Sequence, residues 1–185
     1  MLSDVRGESA DIWQILPLAT ISPLVGRVLE LPALVEELAP VRIGKARVVL
    51  TNGVFDLLHV GHLRYLRQAR ALGDVLVVGV NADASVRAAK PGRPLVPESE
   101  RAELVAALDP VDFVVIFEEP TADALLRAVR PSVYVKGGDY SEETLPEAPT
   151  ARTLGAQLAF VPLVPDRSSS SLARTLRSHQ SGCAC

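Results

Sequence analysis

Cysteine and long apolar runs are scarce in this chain of 185 residues, and each scarcity excludes a class of protein. The two cysteines, Cys183 and Cys185, stand in the last three positions, so we expect neither a disulfide framework nor a cysteine metal site. No apolar run approaches the roughly 18 residues that a membrane-spanning helix needs. The N-terminus carries Asp4 and Glu8 and lacks the basic and apolar regions of a signal peptide, so we expect a cytoplasmic protein.

Lysine is also rare, and positive charge is not in excess. The net charge of −3 argues against a nucleic-acid-binding surface, which usually presents a broad basic face. An anionic substrate would therefore be captured by local positive groups. Only three lysines stand beside 16 arginines, and two of them, Lys90 and Lys136, fall in loops at the ends of predicted elements. A compact ammonium group at such positions favours contact with phosphate, with chance placement as the alternative.

Five short apolar runs alternate with helical stretches along the chain. The predicted strands are residues 47–50, 75–80, 112–117, 132–135 and 157–161. The predicted helices are residues 31–38, 82–89, 98–108, 121–129 and 146–154, with Pro149 expected to interrupt the last of them. This alternation predicts an α/β fold, a Rossmann-like three-layer sandwich with a five-stranded, mainly parallel sheet and right-handed crossovers.

Residues 51–62 join the first of these strands to a helix through a loop that carries His59 and His62. Backbone N–H groups at a helix start have no partner within the helix and attract anions, and Gly61 allows a phosphate to approach the backbone closely. Two imidazoles three residues apart could both donate hydrogen bonds to that anion. The pattern favours chemistry on a phosphorus atom. The alternatives are structural histidines, or a zinc ion shared with Asp56 and a further ligand.

Polar residues follow the ends of several predicted strands. They are Asn52, His59, Asn81, Asp83, Lys136, Gly137 and Asp139. Because ligands of parallel sheets bind beyond the carboxyl ends of the strands, we expect these residues to share one edge. The two glycines at 137–138 fit a ligand loop or a plain turn equally well. Near the C-terminus, Arg167 and the serines at 168–171 would cap a final helix whose start faces an anion, or would be linker.

These motifs resemble those of the nucleotidyltransferase superfamily, which includes cytidylyltransferases and adenylyltransferases. Residues 59–62 read His-Val-Gly-His, which is similar to the family's HxGH motif. Gly-Arg-Pro at 92–94, Glu-Arg at 100–101, Val-Lys-Gly-Gly-Asp-Tyr at 135–140 and Arg-Ser-Ser-Ser at 167–170 follow in the order seen in the bacterial D-glycero-β-D-manno-heptose 1-phosphate adenylyltransferase, or ADP-heptose synthase, branch. The resemblance covers about residues 45–178, which it implies are a nucleotidyltransferase domain. Residues 1–44 would then be an N-terminal extension with a lead-in helix, and residues 179–185 a mobile tail.

The resemblance implies a set of site residues. Those implied in catalysis are His59, His62 and Lys90. Those implied in nucleotide and phosphate binding are Asn52, Gly53, Phe55, Asp56, Gly61, Asn81, Asp83, Arg93, Arg101, Lys136, Gly137, Asp139, Arg167, Ser168 and Ser169. No side chain is assigned to a metal, and Mg²⁺ is expected to accompany the triphosphate.

The implied reaction joins ATP to a sugar 1-phosphate, with heptose 1-phosphate as the expected acceptor, and releases pyrophosphate. A cytidylyltransferase that uses CTP and glycerol 3-phosphate, or a similar phosphorylated alcohol, is the alternative within the family. A nucleotide-binding regulator without activity is the alternative outside enzymes. Relatives often carry a sugar-kinase domain in the same chain. This chain of 185 residues has no room for one, so we expect a separate kinase. We also expect no nucleic-acid or membrane partner, and an N-terminal extension that could serve a homodimer.

Overall fold

The computed structural model describes residues 26–138 and 140–162, which form one parallel sheet flanked by helices. The strands are β1 (Arg27–Val28), β2 (Val48–Gly53), β3 (Val75–Asn81), β4 (Phe113–Phe117), β5 (Val133–Gly137) and β6 (Gln157–Val161). The helices are α1 (Leu31–Ile43), α2 (Val60–Arg70), α3 (Asp83–Ala89), α4 (Glu98–Ala106), α5 (Asp123–Val129) and α6 (Ala148–Thr153). The predicted final helix after residue 170 lies outside the described residues.

The sheet has six strands in the order β1-β4-β3-β2-β5-β6, and every neighbouring pair is parallel. The α/β fold and the parallel sheet are confirmed, but the predicted count of five strands is wrong by one. The additional strand, β1, pairs only Arg27 with Phe113 and Val28 with Val114. A two-residue edge strand is too short to produce an apolar run, so periodicity could not indicate it.

Each face of the sheet carries its own apolar core, because successive side chains of a strand point to opposite faces. On one face α1, α5 and α6 pack on alternate strand residues such as Leu50. On the other face α2 and α4 pack on the intervening ones, such as Val49. Both of these side chains are fully buried, and burial of each contributes about 1.5–3 kcal/mol. The two cores make the three layers that the strand and helix alternation predicts.

A glycine sets the distance between the sheet and one helix. Gly79 lies in the middle of β3, and a Cβ atom built there would come within 2.5 Å of Leu125 Cδ2 and 3.2 Å of Asn52 Cβ. Any larger residue would push α5 away from the sheet, or displace Asn52 at the end of β2. The sequence needs glycine here for space rather than for backbone freedom.

Proline explains one difference between the predicted and the observed helices. The last predicted helix, at residues 146–154, was expected to be interrupted by Pro149. It instead begins at Ala148, so that Pro149 falls in the first turn, where its missing N–H would have no partner in any case. The proline therefore marks the start of α6 and does not break it. Elsewhere, α1 extends past its predicted end at residue 38 to Ile43, with Pro40 inside it.

The direction of the chain changes at the middle of the sheet. From β2 the chain moves outward through β3 and β4, and then returns to the other side of β2 to form β5 and β6. The carboxyl ends of β2 and β5 thus flank a crevice, which is where ligands bind in open parallel sheets. Within the described parts of the chain, no helix combines the length and apolar character that a bilayer crossing demands.

Candidate active site at the carboxyl edge of the sheet

His59 and His62 together cap the N-terminus of helix α2. His59 is the N-cap residue, in extended conformation, and its Nδ1 accepts a hydrogen bond of 3.1 Å from the backbone N–H of Gly61. The Nδ1 atom of His62 in turn accepts a 3.3 Å bond from the backbone N–H of His59. This is the reciprocal arrangement of a capping box, with imidazoles in place of the usual hydroxyl and carboxylate. The turn therefore fixes the orientation of both rings.

These bonds determine which ring nitrogen carries the proton. A backbone N–H can only donate, so the Nδ1 atom that accepts from it is unprotonated, and the neutral ring carries its hydrogen on Nε2. The two ring centroids are 4.0 Å apart, with 35° between the ring planes. Burial, together with the neighbouring His59, lowers the pKa of His62 to about 4. His62 is therefore neutral at physiological pH and offers Nε2–H as a hydrogen-bond donor.

The backbone at the start of α2 is less available to an anion than the sequence suggests. The N–H of Gly61 is bonded to His59 Nδ1, and the N–H of His62 is bonded to the His59 carbonyl oxygen at 2.9 Å. The expectation that unpaired backbone N–H groups hold the phosphate therefore needs correction for these two groups. These two groups are therefore not available to an anion.

Phe55 packs against His62 and so supports the histidine turn, residues 59–62. Its backbone lies in the left-handed region at φ 50°, its side chain is buried, and its ring centroid is 5.5 Å from that of His62. A Cβ atom at Gly53 would come within 3.1 Å of the Phe55 ring, so the glycine leaves room for it. Non-glycine residues with positive φ are uncommon and are found where the surrounding structure enforces them. Here the ring is packed under His62, which holds the imidazole in place.

A cleft of about 270 Å³ opens at the crevice between β2 and β5. Asn52, at the end of β2, lies in its wall, and its Oδ1 accepts hydrogen bonds from Tyr134 Oη at 2.7 Å and Lys136 Nζ at 3.0 Å. Lys90 and Glu147 also line the cleft. His59 and His62 do not line the cleft. The end of β2 and the loop after it connect the cleft to the turn that carries the two histidines.

The electrostatics of the cleft centre on Lys136. Burial lowers the pKa of its ammonium group, and the nearby Glu147 carboxylate offsets part of that shift. Burial also raises the pKa of Tyr134, with Glu147 adding to the effect, so the phenol stays protonated and donates to Asn52. A partly desolvated ammonium is a stronger partner for phosphate than one in bulk water.

A buried carboxylate holds the loop after α3 against the histidine loop. Asp56 Oδ1 accepts from the backbone N–H groups of Leu95 and Val96, at 2.8 and 2.9 Å. Its Oδ2 pairs with Arg93 Nη2 at 2.6 Å, and the two side chains are 1% and 15% exposed. Arg93, which we expected to contact phosphate, is thus paired with Asp56 within the protein. The pair fixes the path of the segment that begins with Lys90.

Arg101 is fully buried and joins three segments. Its guanidinium donates to the carbonyl oxygens of Val96, Val54 and Asn81, and pairs with Asp83 Oδ1 at 2.7 Å. The planar fork of five donors makes arginine suited to such a junction. The structure therefore gives Arg101 a positioning role in place of the direct contact with phosphate that the resemblance implied.

Among residues 26–138 and 140–162, no group of three or more histidine, cysteine, aspartate or glutamate side chains is placed to bind a metal ion. A Mg²⁺ ion, which usually binds through substrate phosphates and one or two carboxylates, could still enter with a nucleotide. The arrangement as a whole offers hydrogen-bond donors and ammonium groups for phosphates.

Comparison with known families decides the relationship of the chain. The model of the family described as cytidylyltransferase-like matches residues 50–175, which include both histidines and the cleft. The chain belongs to the cytidylyltransferase-like family. The fold and the HxGH resemblance predicted from the sequence are therefore confirmed.

This cytidylyltransferase-like chain is also similar in sequence to curated proteins. Bifunctional protein HldE of Syntrophotalea carbinolica is 49% identical over 126 residues, which are 68% of this chain and 26% of the relative. Bifunctional protein HldE of Geotalea uraniireducens is 49% identical over 132 residues, which are 71% of this chain and 27% of the relative. The chain thus spans about a quarter of the length of the curated relatives it matches.

A solved structure agrees with the fold. The lipopolysaccharide core biosynthesis protein from Thermoplasma volcanium GSS1 superimposes with a TM-score of 0.55 at 30% sequence identity. The match covers 64% of this chain and 97% of that protein. The cytidylyltransferase-like domain is therefore similar to almost all of that smaller protein.

The predicted site residues other than Gly137 fall into four groups. Those in the histidine turn and its strand are Gly53, Phe55, His59, Gly61 and His62. Those lining the cleft are Asn52, Asn81, Lys90 and Lys136. Those engaged in supporting contacts are Asp56, Asp83, Arg93 and Arg101. Gly137 ends β5, and Asp139, Arg167, Ser168 and Ser169 lie outside the described residues.

Several cleft residues were not predicted. They are Ser85, Thr121, Tyr140 and Glu147, together with Tyr134, which donates a hydrogen bond to Asn52 of the cleft. Thr121 could have been found, since it follows a predicted strand by a few residues. Tyr134 and Glu147 gave no signal, because an isolated tyrosine in a strand and an isolated glutamate before a helix are typical of any α/β protein.

Proposed function

We propose that this domain transfers a nucleotidyl group from ATP to a sugar 1-phosphate, with release of pyrophosphate. The observation that carries the proposal is the reciprocal cap of His59 and His62, which fixes both imidazoles on the loop after β2, while Asn52 at the end of β2 lines a cleft together with Lys90 and Lys136. Donors of fixed orientation lower the barrier when charge develops on phosphate oxygens. Membership of the cytidylyltransferase-like family agrees with this chemistry.

In the proposed reaction an oxygen of the acceptor phosphate attacks the α-phosphorus of ATP in line with the departing pyrophosphate. A bond forms between that oxygen and the α-phosphorus, the bond to the β-phosphate bridging oxygen breaks, and the electron pair leaves with pyrophosphate. The imidazoles hold the α-phosphate oxygens, and the lysines neutralise the phosphates that would repel each other. No protein nucleophile is needed, so catalysis consists of positioning and charge stabilisation.

Mg²⁺ is part of the proposal, bound chiefly by the triphosphate. When present, it neutralises charge on the phosphates. The residues of the C-terminal motif, Arg167, Ser168 and Ser169, remain proposed phosphate ligands, as does Asp139 for the nucleotide. The division into residues 1–44, 45–178 and 179–185 is likewise proposed.

Heptose 1-phosphate is the acceptor we propose. The relatives are named bifunctional protein HldE, and the similar solved structure is described as a lipopolysaccharide core biosynthesis protein. The loop at residues 135–140 is similar to that of the ADP-heptose synthase branch. A sugar 1-phosphate requires a kinase or mutase to supply it, so we propose that a sugar kinase acts in the same pathway.

A substrate matrix tests the proposal. ATP and CTP are each combined with heptose 1-phosphate and glycerol 3-phosphate in the presence of Mg²⁺, and pyrophosphate release is measured. We expect turnover with ATP and heptose 1-phosphate. Turnover with CTP alone would assign the chain to the cytidylyltransferase branch. ATP binding without pyrophosphate release from any pair would indicate a nucleotide-binding regulator.

The roles of the histidines are tested by substitution in the same assay. We expect His59→Ala to lower kcat about 100-fold or more, since it removes one donor to the developing charge and the cap of α2. His179→Ala is the matched control, because it also replaces one histidine and is not among the proposed site residues. Full turnover by His59→Ala would contradict the assignment.

A further inference from the structure

The cleft contains an acid that the proposed chemistry does not use. Glu147 is 5% exposed and lines the cleft that also holds Lys90 and Lys136. Within the described residues, its side chain receives one hydrogen bond, from the backbone N–H of Ala122 to Oε1 at 3.1 Å. A buried carboxylate has lost most of its hydration, and it keeps hydrogen-bonding capacity at its two oxygens for at least one further donor. A phosphate cannot supply that donor.

The cleft contains charged groups of both signs. The two lysines attract phosphate, whereas the Glu147 carboxylate repels it. A bound acceptor should therefore place its phosphate at the lysines and its uncharged, hydrogen-bonding part at Glu147. Asn81, Ser85 and Thr121 in the same wall are polar and uncharged, which suits a polyol and not an apolar group.

A cationic acceptor group is less suited to the same place. The electrostatic influence of Glu147 reaches Lys136, whose pKa it raises against the effect of burial. The carboxylate thus already has an ammonium group close by, and a second one from a phosphorylated amino alcohol would be repelled by Lys136. A hydroxyl group donates to the carboxylate without adding charge.

We infer that Glu147 is a specificity-determining residue that accepts a hydrogen bond from a sugar hydroxyl of the acceptor. This inference rests on the proposed function and narrows it to acceptors that are phosphorylated polyols. A carboxylate that accepts from a hydroxyl makes a charge-assisted bond, about twice as strong as a neutral one. Such a site discriminates strongly against an analogue that lacks the hydroxyl.

Glu147→Gln tests the inference with the least structural change. Glutamine keeps an oxygen that can accept from Ala122, and it removes the charge. We expect the KM for the sugar phosphate to rise roughly tenfold, with the KM for ATP within about twofold of the wild-type value and Tm nearly unchanged. Glu143→Gln is the matched control, since Glu143 is exposed in the same segment. A residue that only caps the Ala122 turn would not separate the two KM values.

Substrate analogues provide a second measurement. The wild-type enzyme is assayed with each monodeoxy form of the sugar phosphate and with phosphoethanolamine. With the wild-type enzyme, we expect kcat/KM for one deoxy analogue to be roughly tenfold or more below that for the parent sugar phosphate. For that same analogue, Glu147→Gln should lower kcat/KM little further, because the hydroxyl group that the carboxylate would bind is already absent. Equal values for all deoxy analogues, or better turnover with phosphoethanolamine, would overturn the inference.

The outcomes also separate the inference from the function on which it rests. A wild-type enzyme that releases no pyrophosphate with any sugar phosphate contradicts the proposed function, and the inference with it. A wild-type enzyme that turns over and whose Glu147→Gln variant has an unchanged KM for the sugar phosphate contradicts the inference alone.

Discussion

The two imidazoles at the start of α2 act on each other as well as on a ligand. Each Nδ1 atom is occupied by a backbone N–H, so protonation of His62 at Nδ1 would break the bond from His59. A second positive charge 4.0 Å away would add repulsion. The turn therefore favours the neutral ring of His62, whose Nε2–H can donate a hydrogen bond to a phosphate oxygen.

The lowered pKa of His62 predicts how stability depends on pH. The ring titrates near 4 when folded and near its ordinary value of 6.5 when unfolded. Below pH 6.5 the unfolded chain binds a proton that the folded protein does not, so the free energy of unfolding falls as pH decreases towards 4. His62→Gln removes this term and can keep the cap, since glutamine is common at this helical position. Between pH 7 and pH 5, we expect the free energy of unfolding of the variant to fall by about 1 kcal/mol less than that of the wild type, a value that allows for the partial solvent exposure of the ring.

Urea unfolding at the two pH values measures this difference, because the other titrating groups are shared by both proteins and cancel. His179→Gln serves as the control for loss of a histidine. An equal pH dependence in the wild type and His62→Gln would show that the His62 ring titrates normally in the folded protein.

At the residue level, the sequence identifies the important positions more reliably than it identifies their roles. His59 and His62 were found from their spacing after a strand. Arg101 was found from the family motif, yet its guanidinium is buried among the carbonyl oxygens of Val54, Asn81 and Val96. The direction of a long side chain depends on contacts between distant segments, which one sequence does not contain.

The elements follow the predicted pattern closely where the pattern is strong. β6 has its predicted bounds, and β2 begins one residue later and ends three residues later than its apolar run. The extension adds Thr51, Asn52 and Gly53, which pair with β3 although they are not strongly apolar. Tertiary pairing of the backbone thus continues a strand beyond the residues that hydrophobicity identifies.

The loop between α3 and α4 offers a test at the scale of elements. Asp56 holds this loop through Leu95, Val96 and Arg93. Asp56→Ala would remove all three contacts and leave Arg93 without its partner, a loss that costs about 3 kcal/mol or more when both groups are buried. We expect the amides of Leu95 and Val96 to exchange with solvent at least tenfold faster.

Hydrogen exchange followed by NMR or mass spectrometry checks this expectation. Asp109→Asn, at an exposed position before β4, is the control and should leave both amides unchanged. Asp56→Asn should give an intermediate result, because it retains an acceptor for the amides and loses the charge opposite Arg93. Unchanged exchange in Asp56→Ala would mean that the loop is held by other contacts.

At the scale of the whole molecule, the topology could be predicted further than the cleft. Apolar runs alternating with helices specify a parallel sheet, and residues after strand ends must then share an edge. Asn52, Asn81 and Lys136 do share it. The wall that contains Thr121, Tyr140 and Glu147 was not predicted, because it is formed by loops from both halves of the sheet that meet only once the chain has returned across β2.

This topology makes Asn52 the meeting point of the two halves of the sheet. Its Oδ1 accepts from both Tyr134 and Lys136 of β5, although 82 and 84 residues separate them from it. Asn52→Asp keeps the shape and both acceptor bonds, but it adds a negative charge where phosphates are proposed to bind. Two unit charges about 4 Å apart interact by about 4 kcal/mol at an effective dielectric constant of 20.

We therefore expect Asn52→Asp to lower kcat/KM for the sugar phosphate on the order of 100-fold, or about 2.7 kcal/mol, while Tm stays near the wild-type value. The new carboxylate pairs with the Lys136 ammonium, so the fold loses no hydrogen bond and the lysine loses its attraction for phosphate. Gln68→Glu adds the same charge on an exposed position of α2 and should leave kcat/KM unchanged. Steady-state kinetics and thermal unfolding of both variants separate a local charge in the cleft from a change in net charge. Equal kinetics in the two variants would place the acceptor phosphate away from the β2–β5 crevice.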